Sequence, residues 1–313
     1  MIQVMGLASR LSHINCETAV IGVSGGLDST LAILVTTLAA DLLGWSRDRI
    51  IGVTMPGFGT TSRTKDNASD LMEALGITIR EISIRPACEQ HFEDIGHDIN
   101  NHDVTYENSQ ARERTQLLMD ISNQTNGIVV GTGDLSELAL GWATYNGDHM
   151  SMYGVNASVP KTLVMHLVGW IAENRFTDAE ANGRSVKEIL MDIIDTPISP
   201  ELLPADENGE IAQVTEDLVG PYELHDFFLY NFVHNGFSPA KVLFLAENAF
   251  SSLYDSEVIR KWLRTFIWRF FSQQFKRSCL PDGPQTGKVS LSPRGGWAMP
   301  SDAKCRLFLD EIE

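Results

Sequence analysis

Short apolar runs alternate with longer segments of helical periodicity over the first 131 residues. The pattern predicts strands over residues 18–23, 50–55, 77–84 and 128–131. Helices are predicted between these strands, over residues 27–43, 64–75 and 107–126. Parallel strands are usually buried on both faces, and they need a crossover helix to connect them. We therefore predict an α/β fold with a doubly wound parallel sheet.

The strand signals stop after residue 159, and most of the remaining chain has a helical pattern. Helices are predicted over residues 161–174, 186–194, 218–233 and 258–275. We predict a long functional loop over residues 141–158, a proline-rich connection over 195–209 and irregular structure over 281–300. Residues 1–275 are predicted to form one domain with a helical C-terminal region, and 276–313 an irregular extension of that domain. The apolar segments 224–232 and 262–271 could serve either as core helices or as an interface.

The composition excludes several classes of protein. A net charge of −17 argues against nucleic acid as an obligate partner, because phosphate backbones bind clustered Lys and Arg. The longest apolar stretch, residues 31–43, is interrupted by Thr36, Thr37 and Asp41, so we expect no membrane span. The N-terminus lacks a signal-peptide pattern, and the scattered cysteines suggest neither a disulfide framework nor a zinc site. These cysteines are Cys16, Cys88, Cys279 and Cys305. We therefore expect a cytoplasmic protein.

One segment at a strand-to-helix junction carries most of the chemical information. Ser24–Thr30 reads Ser-Gly-Gly-Leu-Asp-Ser-Thr and joins the first strand to the first long helix. Its glycines allow close approach of the backbone to a phosphate, and helix N-terminal amides attract anions. Asp28 would repel a bare phosphate, so its presence indicates a bridging Mg²⁺. The alternative is an ordinary glycine turn in which Ser and Asp cap the helix.

This loop is not a Walker A sequence, because GxxxxGK[ST] is absent. It resembles the SGGxDS signature of the ATP-pyrophosphatase superfamily, whose members split ATP between the α- and β-phosphates. Further segments narrow the resemblance to the NAD synthetases, specifically to the synthetase domain of their glutamine-dependent form. Those segments are Thr54–Thr60, Glu107–Arg114, Gly131–Glu137, Gly141–Asp148, Val159–Thr162 and Phe275–Pro281. The implied fold is Rossmann-like, of the adenine nucleotide alpha hydrolase type.

The resemblance also implies a set of binding residues. ATP is expected to contact Gly22, Val23, Ser24, Gly25, Gly26, Leu27, Asp28, Ser29, Thr132, Lys161 and Ser199. The deamidated dinucleotide is expected to contact Asn108, Arg112, Glu137, Trp142, Ala143, Thr144, Tyr145, Asp148 and Lys276. Asp28 and Glu137 are expected to hold Mg²⁺, and the expected catalytic residues are Asp28, Lys161 and Lys276.

The residue types suit these roles. Strand ends in a parallel sheet converge on one crevice, so Asp28 and Glu137 could share Mg²⁺. Lys161 and Lys276 could neutralise a departing pyrophosphate, while Asp148 could orient the incoming nitrogen. Aromatic rings at Trp142 and Tyr145 could stack on a nicotinate or an adenine.

Each of these assignments has a structural alternative. Glu137 could be a solvated helix residue, Lys161 could simply lie in a first helical turn, and the two aromatic residues could be core residues. Arg114 could pair with a surface acid, and the eight histidines show no metal spacing. No base is evident beside Cys279, so we predict no protein nucleophile.

The reaction implied by the resemblance is ATP-dependent amidation of nicotinic acid adenine dinucleotide to NAD⁺ through an acyl-adenylate. It releases AMP and pyrophosphate. Nothing in the sequence resembles the nitrilase-like glutaminase domain of the glutamine-dependent enzymes. We therefore expect ammonia as the nitrogen donor of an isolated synthetase domain, and a homodimer or larger assembly. The alternatives are another superfamily synthetase, such as a GMP synthetase, and a catalytically silent nucleotide-binding assembly module.

Overall fold

A computed structural model describes residues 1–199, 202–203 and 215–313. The strands are β1 Thr18–Gly22, β2 Ile50–Thr54, β3 Thr78–Glu81, β4 Gly127–Gly131, β5 Tyr153–Gly154, β6 Glu180–Ala181 and β7 Arg184–Ser185. The first eight helices are α1 Ile2–Ile14, α2 Leu27–Leu43, α3 Ser62–Leu75, α4 Arg85–Ile95, α5 Val104–Gln124, α6 Leu135–Leu140, α7 Lys161–Asn174 and α8 Val186–Ile194. The others are α9 Thr215–Val219, α10 Tyr222–Leu229, α11 Pro239–Ala249, α12 Ser256–Ser272, α13 Gln274–Arg277 and α14 Arg306–Asp310.

The main sheet has five parallel strands in the order β3-β2-β1-β4-β5. Alternate residues of the central strands pack on opposite faces. Ala19 and Ile21 of β1 belong to one core with α1, α2, α3, α7 and α8, whereas Val20 belongs to another with α4 and α5. The prediction of a doubly wound parallel sheet is therefore confirmed.

A third core lies outside the sheet. Buried side chains of α6, α10, α11 and α12 form it, and they include Leu224, Phe228, Trp262 and Phe266. The segments 224–232 and 262–271, which could have served an interface, thus contribute buried side chains to a core. Among the described residues, no helix is both long and apolar enough to cross a membrane.

Several predicted boundaries need correction. The third strand is shorter than predicted, because the chain turns after Glu81. Pro86 then starts α4, a helix that was not predicted. Gly127 does not stop α5 but begins β4, and α5 ends at Gln124. The helices α6 and α11 and the short β5 were also not predicted.

The predicted helix over 218–233 is divided in the structure. Gly220 has φ +100°, and Pro221 follows it, so α9 ends and α10 begins there. A Cβ at Gly220 would lie 2.4 Å from the Trp262 ring, so close packing also requires glycine at this position. Most of the predicted connection 195–209 lies outside the described residues.

The C-terminal segment 281–300 has no helix or strand, as predicted, but it is attached to the sheet domain. Asp282 O accepts a hydrogen bond from Gly154 N at 2.7 Å, and Pro284 O accepts one from Ser158 Oγ at 2.6 Å. Gly283 fits only because it has no side chain, since a Cβ there would lie 2.3 Å from Gly154 O. The segment therefore forms part of the wall around the carboxyl end of the sheet.

Candidate active site

The strand order places the site. β1 and β4 are neighbours at the centre of the sheet, where the order of connections reverses, and ligands of such sheets bind at the carboxyl ends of these strands. β1 leads into the Ser24–Thr30 loop and α2, whereas β4 leads into α6. A cavity of about 490 Å³ opens at this point.

The Ser24–Thr30 loop has the conformation that its glycines predict. Gly25 has φ +88°, and a Cβ there would lie 2.1 Å from Thr64 O in the first turn of α3. Ser29 Oγ lies 3.1 Å from Ser24 Oγ and accepts a hydrogen bond from Ser24 N at 3.2 Å. The N-termini of α2 and α3 therefore meet at the loop, and both favour an anion there.

Lys161 lies among three carboxylates. Its Nζ is 2.5 Å from Asp28 Oδ2, 2.7 Å from Asp134 Oδ2 and 3.0 Å from Glu137 Oε1. Only 1% of the Lys161 side chain is exposed. Lys161 does lie in the first turn of α7, which was the alternative to a role in the site. Its side chain nevertheless points inward to this acidic cluster and not to solvent.

Burial and the oppositely charged neighbours shift the pKa values of these groups in opposite directions. Burial raises the pKa of Asp28 to about 7, although Lys161 opposes the shift, and burial likewise raises the pKa of Glu137. Burial alone would lower the pKa of Lys161, but the nearby carboxylates, Asp134 foremost, raise it well above its ordinary value. Lys161 therefore keeps its positive charge, whereas burial beside other carboxyls disfavours the ionised forms of Asp28 and Glu137.

Asp134 belongs to this cluster but was not among the predicted site residues. It caps α6, because its Oδ1 accepts a hydrogen bond from Glu137 N at 2.8 Å. One residue thus orients Glu137 and contacts Lys161. A signal was present, since Asp134 follows a strand end and precedes Glu137 by three residues, which is the spacing of a helix cap.

The cluster fits a divalent cation by its chemistry. Carboxylate oxygens of Asp28, Asp134 and Glu137 all lie within 4.8 Å of one another. Asp28 Oδ1 is buried and accepts no hydrogen bond from any described residue, so it has capacity for a further ligand. Hard cations such as Mg²⁺ prefer oxygen donors of this kind.

Residues expected near the deamidated dinucleotide form a connected group on the same cavity. Thr144 Oγ1 donates to Asn108 Oδ1 at 2.7 Å, and Thr144 N donates to Asp148 Oδ1 at 2.7 Å. Burial raises the pKa of Asp148. Lys276 Nζ donates to Gly141 O at 2.8 Å and to Ala143 O at 2.6 Å, and so holds the loop that follows α6.

Most of the predicted site residues line the cavity. They are Gly22, Val23, Ser24, Gly26, Leu27, Asp28, Ser29, Asn108, Thr132, Glu137, Trp142, Ala143, Thr144, Asp148, Lys161, Ser199 and Lys276. Gly25, Arg112 and Tyr145 are not among the lining residues. Gly25 packs against α3, and the exposed Arg112 donates to Tyr145 O at 3.3 Å. The Tyr145 ring packs against His149 and Phe275 instead of facing the cavity.

Other lining residues were not predicted. Arg114, which we set aside as a partner for a surface acid, lines the cavity and donates from Nε to Met55 O at 3.1 Å. Leu280, Pro281 and Pro284 of the C-terminal segment line it too. Leu280 and Pro281 belong to the Phe275–Pro281 segment that carried the resemblance, but their place on the cavity depends on contacts with β5, which is distant along the chain.

The interpretation that no base lies beside Cys279 is wrong. His149 Nε2 is 3.4 Å from Cys279 Sγ, and His149 Nδ1 is 2.9 Å from Thr144 O. Burial lowers the pKa of His149. The two residues are 130 positions apart, so their proximity could not be read from spacing.

Comparison with known proteins identifies the family. The family model described as "NAD synthase" matches residues 2–243. A glutamine-dependent NAD(+) synthetase of Mycobacterium leprae is 46% identical over 336 aligned residues, covering 100% of this chain and 48% of that protein. The chain belongs to the NAD synthase family. It spans about half the length of the curated relatives that it matches.

Solved structures show the same fold. A glutamine-dependent NAD(+) synthetase from Cytophaga hutchinsonii superposes with a TM-score of 0.78 at 16% identity, covering 99% of this chain and 55% of that one. An NMN synthetase from Francisella tularensis superposes with a TM-score of 0.61 at 23% identity, covering 86% of this chain and 92% of that one. Both comparisons support the Rossmann-like architecture of the NAD synthase family.

Proposed function

We propose that this chain amidates nicotinic acid adenine dinucleotide to NAD⁺, with ATP as co-substrate and ammonia as nitrogen donor. One observation carries the proposal. The chain belongs to the NAD synthase family, and its Ser24–Thr30 loop, here called the phosphate loop, lines the same cavity as Lys161, Asp28 and Glu137. Asn108, Thr144 and Asp148 line this cavity too. One cavity thus offers an anion site beside a polar site for a second substrate.

The first step forms a mixed anhydride. A nicotinate carboxylate oxygen bonds to the α-phosphorus of ATP, the bond from that phosphorus to the bridging oxygen breaks, and pyrophosphate leaves. The loop amides and the hydroxyls of Ser24 and Ser29 would hold the phosphates, with Lys161 close to the departing charge. Asp28 and Glu137, together with Asp134, would hold Mg²⁺, which supplies positive charge for the phosphates when bound.

The second step transfers nitrogen. Ammonia bonds to the acyl carbon, AMP departs with the oxygen that joined it, and the new amide nitrogen loses a proton. Asp148 is the candidate to orient ammonia, since it lines the cavity and Thr144 N holds its carboxylate. Catalysis by positioning and charge needs no covalent enzyme intermediate.

An apolar part of the cavity suits the adenine of ATP. Met55, Leu118 and Val129 line it near Gly22. A Cβ at Gly22 would lie 3.1 Å from Leu118 and 3.3 Å from Met55, so the absence of a side chain lets these two residues pack closely over the strand end. Burial of the adenine ring against this apolar lining would contribute to ATP affinity.

The experiment measures products from purified protein with ATP, Mg²⁺ and ammonium. We expect NAD⁺, AMP and pyrophosphate in equal amounts from nicotinic acid adenine dinucleotide. Xanthosine monophosphate and nicotinic acid mononucleotide serve as competing acids, and preference for either would overturn the substrate assignment. ATP binding without turnover of any of the three acids would favour the silent assembly module.

The nitrogen donor is tested separately. Glutamine-dependent relatives have about twice the length of this chain, and no segment of its 313 residues resembles a glutaminase domain. We expect NAD⁺ formation with ammonium and none with glutamine. Equal rates with the two donors would contradict the assignment of ammonia.

We also propose a cytoplasmic homodimer or larger homo-oligomer. Exposed apolar side chains of α7, including Leu163, Met165 and Trp170, offer a surface for a second copy. Light scattering at several protein concentrations measures the mass, and a monomer throughout would remove this part of the proposal.

A further inference from the structure

The three carboxylates beside Lys161 are arranged for a cation, and a side-chain ammonium already lies among them. One oxygen from each of Asp28, Asp134 and Glu137 falls within a 4.8 Å group. Lys161 Nζ is no more than 3.0 Å from any of the three carboxylates. The ammonium therefore occupies the region in which a metal ion would find its ligands.

A metal and the ammonium cannot share this region. Mg²⁺ and similar cations bind carboxylate oxygens at about 2.0–2.6 Å, so a metal on these oxygens would stand within contact distance of Nζ. Two positive centres at that separation in a buried site repel strongly. Entry of the metal thus requires Lys161 to leave at least part of the cluster.

The cluster has acceptor capacity that Lys161 leaves unused. Asp28 Oδ1 is buried and accepts no hydrogen bond from any described residue. Asp134 Oδ2 lies 2.7 Å from Nζ and so shares the same ammonium with Asp28 and Glu137. Asp134 is fully buried, so water does not compensate it. A buried acceptor without a hydrogen bond, beside three carboxylates that share one ammonium, points to a ligand with more positive charge than that ammonium supplies.

We propose that Lys161 is an internal counter-cation that competes with a divalent metal for the carboxylates of Asp28, Asp134 and Glu137. This inference rests on the proposed function, because the phosphates of ATP give the displaced ammonium a second set of negative partners. Metal and nucleotide then favour each other's binding. The metal displaces the Lys161 ammonium from the carboxylates, and the phosphates of the nucleotide accept it. Without nucleotide, Lys161 weakens metal binding.

The test measures Mn²⁺ binding without ATP or dinucleotide, using the electron paramagnetic resonance signal of free Mn²⁺. Lys161→Met removes the charge and keeps a long side chain, and it should lower the Kd for Mn²⁺ by about tenfold or more. Lys161→Arg keeps the charge and should bind Mn²⁺ about as weakly as the wild type. Mn²⁺ binding no tighter in Lys161→Met than in the wild type would overturn the proposal.

Two further variants test whether the gain in Mn²⁺ affinity arises at the carboxylate cluster. Lys276→Met removes another lysine that lines the cavity, but its ammonium contacts carbonyls of Gly141 and Ala143, so Mn²⁺ affinity should stay at the wild-type level. Adding Asp134→Asn to Lys161→Met should cancel the gain in affinity. Equal gains from the Lys161 and Lys276 variants would mean a general charge effect and would overturn the proposal.

Loss of the lysine could also impair folding, since it leaves three buried carboxylates uncompensated. In that case Mn²⁺ should raise the Tm of Lys161→Met by more than it raises that of the wild type. A Tm that does not respond to Mn²⁺ would overturn the proposal. No substrate is present in these assays, so their result is independent of which acid the chain amidates.

Discussion

Asp226 on α10 accepts two hydrogen bonds from Thr162 on α7, from the main-chain N at 3.0 Å and from Oγ1 at 2.7 Å. Pro160, the residue that caps α7, has no side-chain acceptor, so Asp226 takes over the role of a cap. Ser136 Oγ accepts from Lys161 N at 2.9 Å and donates to the other oxygen of Asp226. The helical C-terminal region thereby fixes the helix turn that carries Lys161.

Replacing Asp226 by Asn should weaken this cap. The amide retains one oxygen and places a donor group among existing donors, so we expect a loss of about 1–3 kcal/mol in the free energy of unfolding. We also expect a higher KM for ATP, because the α7 turn positions Lys161. Urea unfolding and initial rates measure the two effects. As a control, Thr162→Val removes only the hydroxyl and should lower the free energy of unfolding by less. Unchanged stability and KM in Asp226→Asn would refute the capping role.

Replacing Asp28 by Asn should abolish most turnover without loss of the fold. The amide keeps the shape of the side chain but removes its charge, so it can no longer help to hold Mg²⁺ beside the phosphate loop. We expect kcat to fall by about 100-fold or more. The measurement is the initial rate of NAD⁺ formation, with circular dichroism as the check on folding. Asp120→Asn, an exposed substitution on α5, is the matched control, and activity of Asp28→Asn near this control would contradict Mg²⁺ binding at Asp28.

The two glycines of the Ser24–Thr30 loop should respond differently to alanine. Gly25 has φ +88°, and its Cβ would lie 2.1 Å from Thr64 O, so Gly25→Ala should cost about 1–3 kcal/mol or displace the loop. At Gly26 the nearest atom to an added Cβ is Ser24 Oγ at 3.5 Å, and φ is −88°. Gly26→Ala should therefore stay within about 1 kcal/mol of the wild type. Thermal unfolding compares them, and equal losses would show that the contact with α3 is unimportant.

His225 should make stability depend on pH. Burial lowers its pKa from 6.5 to about 4, and its Nε2 lies 2.6 Å from Val219 O. Because the folded-state pKa is below the unfolded one, the unfolded chain binds more protons between these values, and stability falls as the pH falls from 6.5 towards 4. Between about pH 7.5 and pH 5 the wild type should lose about 2 kcal/mol more than His225→Gln does.

The measurement for His225 is urea unfolding of both proteins across this pH range. The pKa of Asp226 shifts in the opposite direction, since burial raises it to about 6. Asp226 is present in both proteins, so its contribution to the pH dependence cancels in their difference. Parallel pH profiles for the wild type and His225→Gln would show that His225 is not held neutral in the folded state.

The central strands, the close turn of the Ser24–Thr30 loop and the parallel sheet could all be predicted from the sequence. β1, β2 and β4 are buried on both faces, and their sequences are short apolar runs. The two glycines between β1 and α2 are typical of a close backbone turn. These signals are local, because an apolar run and a glycine turn are both formed by residues that are adjacent in the chain.

The partners of the site side chains depended on packing between distant segments. Lys161 and Asp28 are 133 positions apart, Ser136 and Asp226 are 90 apart, and His149 and Cys279 are 130 apart. Residue types alone showed that Asp28, Glu137 and Lys161 carry charge, but they did not show that one ammonium lies among three carboxylates. That arrangement follows from the reversal of strand order between β1 and β4 and from the helical core that fixes α7, since only the folded chain brings these charges together in a buried space.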